Sequence, residues 1–322
     1  MPGYTIKKLE SDQFDILIPL MKNCFGMDVT IDYFRWKYLA NPAGSFIGFV
    51  AIETDTGEIA ASFNLIPEKY IIEGKETIIY QGCDAMTHSN HRRKGLFQKL
   101  VTYCHDYLKN INQLFLIALA GGTESTRGLM KLGWQRVSNF RFLFIPKILC
   151  YFSLLSNSTN EGETVSDLRV LEPLIEKKSS AKIYSFRDID HLLWRYANPL
   201  HSYNVVAFSN NSAIEGYICY YIDNRKIFLF DFVFTTPKSQ KSLLGNLKRR
   251  VVKEKLKGIV TFCQENSPLV NKLKRSGFLM NHFKRGPLSD TPPLLFYSDE
   301  KSMSKFSNPN CWSIISYDHD AS

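Results

Sequence analysis

Apolar and polar positions alternate over residues 4–9, the period-two pattern of a half-buried strand. Ser11 or Asp12 then stands where a helix N-cap belongs, ahead of helical spacing to about Cys24. A shorter helix over residues 33–39 stops at Asn41-Pro42, because the residue before a proline disfavours helix. Strands are predicted over residues 45–53 and 58–65 around a turn at 54–57. A hairpin of residues 69–73 and 76–79 follows, turning at Gly74, and then a strand over residues 80–87. Residues 95–109 place Leu96, Leu100, Tyr103 and Tyr107 on one helical face. Residues 113–120 are a continuous apolar run, the mark of a central strand covered on both faces. A helix to Leu132 ends at Gly133, and residues 140–145 read as a closing strand. Strands first and βα units afterwards predict an α/β fold, a mixed α+β sheet with helices packed on it.

The second half of the chain echoes the first. Trp36-Lys37-Tyr38-Leu39-Ala40-Asn41-Pro42 is matched by Trp194-Arg195-Tyr196-Ala197-Asn198-Pro199, and a strand pair follows each, over residues 45–65 and 203–222. Lys131-Leu132-Gly133-Trp134 is matched by Lys274-Arg275-Ser276-Gly277-Phe278. Two matches in the same order predict a tandem duplication. Residues 156–167 are polar and short of large apolar groups, so they read as a linker between residues 1–150 and 151–322. Beyond residue 286 the chain is rich in Pro and Ser. Residues 311–320 then alternate like a last strand that ends in Asp318 and Asp320.

Composition narrows the class. With 322 residues, 44% hydrophobic and 22% charged, the chain is neither disordered nor a disulfide mini-protein. Its net charge of +9 favours anionic partners. The seven cysteines are odd in number and form no Cys-x-x-Cys pair, which reads as reduced thiols rather than a disulfide framework or a zinc site. The first residues lack the apolar stretch of a secretory leader. The most apolar segment, residues 140–155, is interrupted by Arg141, Pro146 and Lys147, and is shorter than the ~20 residues of a membrane helix. A cytoplasmic protein without membrane insertion is expected.

The chemistry concentrates in residues 83–97, Cys-Asp-Ala-Met-Thr-His-Ser-Asn-His-Arg-Arg-Lys-Gly-Leu-Phe. This is a strand, a basic loop and the first turn of a helix. Backbone N–H groups and the positive end of the helix dipole make an anion site there. Gly95 permits close approach of a phosphate, and Arg92, Arg93 and Lys94 supply countercharge.

Arg92-Arg93-Lys94-Gly95-Leu96-Phe97 resembles the acyl-CoA loop of the GNAT N-acetyltransferase superfamily, Arg/Gln-x-x-Gly-x-Gly/Ala. Phe97 departs from it, standing where Gly or Ala is usual. The resemblance covers residues 4–146, and its weaker repeat reaches about residue 283. It implies two tandem GNAT-like folds, the second degenerate, because residues 237–244 lack Arg-x-x-Gly. It also implies acyl-CoA held by Ala85, Met86, Thr87, Arg92, Arg93, Lys94, Gly95, Leu96 and Phe97, with no metal. The strand near Ala85–Thr87 would face the thioester carbonyl.

A base is needed only for the amine proton, and Asp84, His88, Glu124 and Asp318 are the candidates. Strict alternation puts Gln81, Cys83 and Ala85 on one face and Asp84 and His88 on the other, and a strand bulge reverses this. The position that carries an acid Tyr in the superfamily is Leu129, with Tyr103, Tyr217 or water as substitutes. Gln81, Trp194, Tyr196 and Asp231 are candidate substrate contacts.

The duplicated length, the Trp-x-Tyr-x-x-Asn-Pro motif and the Trp…Asp-x-Asp ending are similar to bacterial nucleotide-sugar N-acyltransferases. The implied acceptor is a nucleotide-linked amino-deoxy sugar, the acyl group acetyl or small hydroxyacyl, and a homodimer is possible. Another amine such as an aminoglycoside or polyamine, a tRNA-dependent aminoacyl transferase, and a nucleic-acid binder remain as alternatives.

Overall fold

The structure is a computed structural model that describes residues 3–119, 122–152, 162–175, 181–281, 288 and 290–319. Strand β1 (Tyr4–Lys8) leads into helix α1 (Leu17–Phe25), then α2 (Ile31–Phe34), which widens into a π-helical turn, Arg35–Leu39. Strands β2 (Ile47–Glu53), β3 (Ile59–Ile72) and β4 (Lys75–Thr87) form an antiparallel meander. Helix α3 (Leu96–Asn110), strand β5 (Leu116–Leu119), helix α4 (Thr123–Lys131) and strand β6 (Gln135–Pro146) complete the first half.

After α5 (Lys147–Cys150) come β7 (Glu163–Thr164), α6 (Glu172–Ile175), β8 (Ile183–Ser185) and α7 (Ile189–Tyr196). The sequence of elements then repeats: β9 (Asn204–Asn210), β10 (Ala213–Asp223), β11 (Lys226–Phe234), α8 (Pro237–Lys253), β12 (Gly258–Gln264), α9 (Pro268–Arg275) and β13 (Leu279–Met280). The chain closes with β14 (Pro293–Tyr297), α10 (Glu300–Phe306) and β15 (Trp312–Ser313).

One mixed sheet runs through the described residues in the order β1-β2-β3-β4-β5-β14-β6-β12-β11-β10-β9-β7. Strand β6 serves both halves. Its first residues pair with β14, and Phe140–Pro146 pair with β12. The strand predicted over residues 140–145 therefore begins earlier, at Gln135. Strand β14 inserts antiparallel between β5 and β6. The sequence reading missed it, because Pro292-Pro293 punctuates its start. Proline is tolerated as the first residue of a strand.

The predicted strand over residues 311–320 is corrected: only Trp312–Ser313 pair in a ladder, and Ser316–Asp318 coil into a 3-10 turn. Asp318 drives this by accepting the Ile315 N–H at 2.8 Å. Asp320 and residues 156–161 of the expected linker lie outside the described residues. The expected strand over residues 58–65, the hairpin of residues 69–79 and the strand over residues 80–87 are one long hairpin, β3 and β4, kinked by a bulge at Asp84 and Ala85 opposite Phe63.

The first half packs on both faces of its sheet. Leu100, Val101, Cys104 and Leu108 of α3 meet Phe49, Ala61, Leu65 and Leu116 on one side. On the other, Leu17, Leu20, Tyr33, Phe34 and Tyr38 meet Val50, Ile66, Cys83 and Met86. All seven cysteines are free, and six are buried. No described helix is long and apolar enough to cross a membrane.

Candidate functional site

Strands β4 and β5 are parallel and pair only at Tyr80–Leu116 and Gln81–Ile117. Beyond Gln81 they part, and β4 residues 82–87 run on beside β3 without β5. A 3-10 turn, Ser89–His91, and the basic loop then lead into α3. Arg93 (φ 64°) and Gly95 (φ 75°) are both left-handed, the backbone form that anion-binding nests use. Gly95 is the N-cap of α3 and offers no side chain, so no side chain caps the first-turn amides among the described residues. Arg92, Arg93 and Lys94 are exposed around this concavity. These are the requirements of a pyrophosphate site: convergent donors, a helix N-terminus and mobile cations.

Helix α1 secures the loop from behind. Ser89 N–H donates to Asn23 Oδ1 at 2.9 Å, and Cys24 Sγ lies 3.3 Å from the Thr87 carbonyl. Arg92 Nε donates to that same carbonyl at 3.3 Å. Burial pushes the Cys24 thiol up, so it is not a poised nucleophile.

The four proposed bases do not converge. Asp84 sits at the bulge with φ 44° and points to the α2 side, so the bulge rather than strict alternation decides its face. Its carboxylate accepts Lys37 Nζ at 3.0 Å and Tyr38 OH at 2.6 Å, and Lys37 is fully buried. Burial, then the Asp84 charge, raises Tyr38 well above the usual phenol range, so Tyr38 stays a donor. His88 lies at the other end of the turn, 3.6 Å from Glu58. Glu124 is exposed on the first turn of α4 and pairs with Arg127 at 3.1 Å. Asp318 accepts Ser185 Oγ at 2.6 Å and pairs with Arg187 at 3.3 Å. With Ile71, Gly74 and Tyr217 it lines a separate cavity of about 540 Å³, at the hairpin end of β3 and β4.

The substrate candidates are interior groups. Gln81 is fully buried at the last β4–β5 pair. Trp194 stacks on Trp36. Tyr196 OH donates to Asp231 Oδ2 at 2.9 Å, and Asp231 also takes Tyr217 OH at 2.8 Å and Arg187 at 2.9 Å. Leu129 is buried, Tyr103 packs on Phe49, and burial raises Tyr217 well above its ordinary value. None of these three supplies an acid to the β4–β5 cleft.

The corresponding place in the second half is closed. Thr236 and Ser239 cap α8 reciprocally, with Ser239 N–H donating to Thr236 Oγ1 at 3.1 Å. Strands β11 and β12 are parallel at Lys226–Gly258 to Phe228–Val260 and then part. The C-terminal turn fills that gap: Ile315 bridges Cys263, and Ser316 Oγ donates to the Phe230 carbonyl at 2.5 Å.

Phe97, the departure from the loop motif, is accommodated from across the helix pair. A Cβ on Gly128 of α4 would stand 2.5 Å from the Phe97 ring. Here the small residue at this contact is Gly128 of α4. The signal was present in the sequence, since a glycine inside a helix costs about 1 kcal/mol and calls for a packing reason.

Residues 5–137 match the model of a family described as an acetyltransferase (GNAT) domain. A search of curated proteins finds no match. Among solved structures, a probable N-acyltransferase from Enterococcus faecalis V583 superposes with a TM-score of 0.68 at 10% identity, covering 92% of this chain and 72% of that one. A GCN5-related N-acetyltransferase from Anabaena variabilis gives 0.66 at 12% identity, over 91% and 72%. Saccharomyces cerevisiae N-myristoyltransferase with bound myristoyl-CoA gives 0.59 at 12% identity, over 92% and 79%. Residues 5–137 carry the match to the GNAT domain, and the chain as a whole shares the fold of these solved structures.

Proposed function

We propose that the chain is an acyl-CoA-dependent N-acyltransferase with one co-substrate site, in its first half. One observation carries the reading: the amides of α3 are uncapped behind left-handed Arg93 and Gly95, where β4 and β5 part, while α8 is self-capped. Arg92, Arg93, Lys94 and the amides of Gly95, Leu96 and Phe97 would hold the phosphates. The backbone of Ala85, Met86 and Thr87 lines the cleft beside the thioester. Bound acyl-CoA would supply an acyl carbon that a neutral amine attacks directly, the amide C–N bond forming as the thioester C–S bond breaks and CoA leaves as a thiolate that takes its proton from water. Backbone N–H groups of this chain are suited to the negative charge that develops on the carbonyl oxygen. Holding both reactants in one cleft supplies much of the rate.

Asp84 is committed to Lys37 and Tyr38, and Glu124 to Arg127, so the amine proton passes to water in this reading. The second half is a degenerate copy. The paired Trp36 and Trp194, the recurring order of strands and the plugged β11–β12 gap support this.

For the acceptor we propose the amine of a nucleotide-linked amino-deoxy sugar, and for the acyl group acetyl or a small hydroxyacyl. The net charge of +9 and the exposed cations suit a diphosphate-bearing acceptor. A mass-spectrometric screen pairs acyl-CoAs with nucleotide amino sugars, aminoglycosides and polyamines. Transfer to a nucleotide amino sugar is the expected result. Transfer only to another amine overturns the acceptor and leaves the acyltransferase standing. Absence of transfer together with absence of CoA binding overturns both, and retention of tRNA in a filter assay at physiological salt would then favour the nucleic-acid reading.

A further inference from the structure

We propose that Glu58, His88 and His91 form a binding site for a divalent transition-metal ion, with Zn²⁺ the best fit. The three side chains come together only in the fold. Glu58 ends the β2–β3 turn, just ahead of β3, while His88 and His91 flank the 3-10 turn between β4 and the basic loop. One ligand atom from each lies within 4.8 Å of the others. Glu58 Oε2 is 3.3 Å from His91 Nε2, and Glu58 Oε1 is 3.6 Å from His88 Nδ1. Tetrahedral zinc with bonds of about 2.0–2.1 Å separates its ligands by roughly 3.3 Å. The Glu58–His91 separation matches this, and the His88 ligand atom lies within 4.8 Å of the other two.

The second observation is His91 itself. The residue is 3% exposed, and its Nε2 is buried without a hydrogen-bond partner, although a carboxylate oxygen stands 3.3 Å away. The other ring nitrogen, Nδ1, is 2.9 Å from Tyr4 OH, with Glu53 behind it at 3.9 Å. An Nδ1–H donated to Tyr4 leaves a lone pair on Nε2, facing a carboxylate that also carries only lone pairs. Without a metal the ring takes the other tautomer and turns Nε2–H toward Glu58, whereas in the Nδ1–H tautomer a cation between the two atoms satisfies both lone pairs. A ligating histidine characteristically donates its other N–H to an oxygen in this way, which fixes the tautomer.

His88 is free to join, since its Nδ1 takes only a long 3.4 Å bond from the Asn90 N–H. Two imidazoles and one carboxylate suit zinc and disfavour calcium and magnesium, which prefer all-oxygen sets. Glu58 keeps 45% of its side chain exposed, so water can fill the fourth position. The metal would join the β2–β3 turn to the segment just ahead of Arg92 and fasten the basic loop from outside. This inference does not rest on the proposed reaction.

The test is calorimetric titration of the chelator-stripped full chain with Zn²⁺, alongside His88→Gln, Glu58→Gln and His91→Gln. One equivalent is expected, with affinity reduced at least tenfold in each variant and a melting temperature that rises with zinc for the parent only. His88→Gln and Glu58→Gln keep the test sound should His91→Gln fail to fold. Co²⁺ reports the ligands: a spectrum without thiolate-to-metal charge transfer supports the His and Glu set. No Zn²⁺ binding at micromolar concentration overturns the proposal. So does binding unchanged in all folded variants, or a thiolate band.

Discussion

Trp36 and Trp194 stack with ring centroids 5.5 Å apart and planes 19° from parallel, and each indole N–H donates to the other residue's carbonyl, at 2.6 and 2.8 Å. The reciprocal pair forms although Trp36 sits in a π-helical turn and Trp194 in an α-helix. Trp36→Phe and Trp194→Phe each remove one indole donor from a buried carbonyl, at a cost of about 1–3 kcal/mol. Urea unfolding should return similar losses for the two variants and non-additivity in the double variant. A neutral single variant would show that these bonds do not hold the halves together.

Gly128 and Phe97 form a second coupled pair. Gly128→Ala forces a methyl into the Phe97 ring and should cost about 1–3 kcal/mol. In a Phe97→Ala background the same exchange should be close to neutral or stabilising, because alanine is the better helix former. Equal costs in both backgrounds would mean that the ring moves aside freely.

Much of this arrangement was legible in the sequence. Periodicity located α3, a continuous apolar run located β5, the basic loop followed from Arg92-Arg93-Lys94-Gly95, and the Trp-x-Tyr echo marked the two residues that meet as Trp36 and Trp194. What failed was long-range. Nothing local says that Pro293–Tyr297 enters between β5 and β6, since strand insertion is decided by which edges the other strands leave open. The face of Asp84 depended on one bulge residue, and a shift of one flips a strand side chain. Grouping Glu58 with His88 and His91 needs the β3–β4 register, which no spacing supplies.

Acid should loosen the packing of α3 through His105. Its Nε2 accepts the Trp134 indole N–H at 3.1 Å, and its ring stacks on Tyr297 of β14 at 4.0 Å. Burial pushes its pKa down to about 4 from the usual 6.5. The folded state then binds fewer protons than the unfolded chain between those values. The contribution is whole above pH 6.5 and is lost as pH falls toward 4. Melting temperature should drop across that window, and less steeply in His105→Phe. Parallel curves for the two proteins would remove His105 as the cause.

Gly95 decides the co-substrate site. No atom lies within 4 Å of a Cβ built there, so a side chain meets no wall, but φ +75° penalises any branched residue. Gly95→Val should stay folded by circular dichroism and lose affinity for acyl-CoA by at least ~10²-fold, the value of one or two charge-assisted hydrogen bonds. Gly95→Asn, which tolerates the left-handed region, should recover part of it. Calorimetry on the parent should find one site per chain. Two equivalent sites would contradict the closed second half.

Asp84 is the residue on which sequence and structure pull furthest apart. Its bond from Tyr38 recurs in the second half as Tyr196 to Asp231, where α8 is capped and the β11–β12 gap is filled. A contact present on both sides, with and without an open cleft, is an anchor between the Trp-x-Tyr helix and the third strand after it in each half. Asp84→Asn strands the buried Lys37 ammonium beside a neutral amide, and should cost about 3–5 kcal/mol. Lower activity in that variant alone therefore says nothing about proton transfer. Exchanging the cluster together, Lys37→Met with Tyr38→Phe and Asp84→Leu, removes the orphaned charge and should fall much closer to neutral. In that folded triple variant kcat per active molecule should remain within a few-fold of the parent. A fall of about 10²-fold or more, the usual contribution of a general base, would return Asp84 to the chemistry.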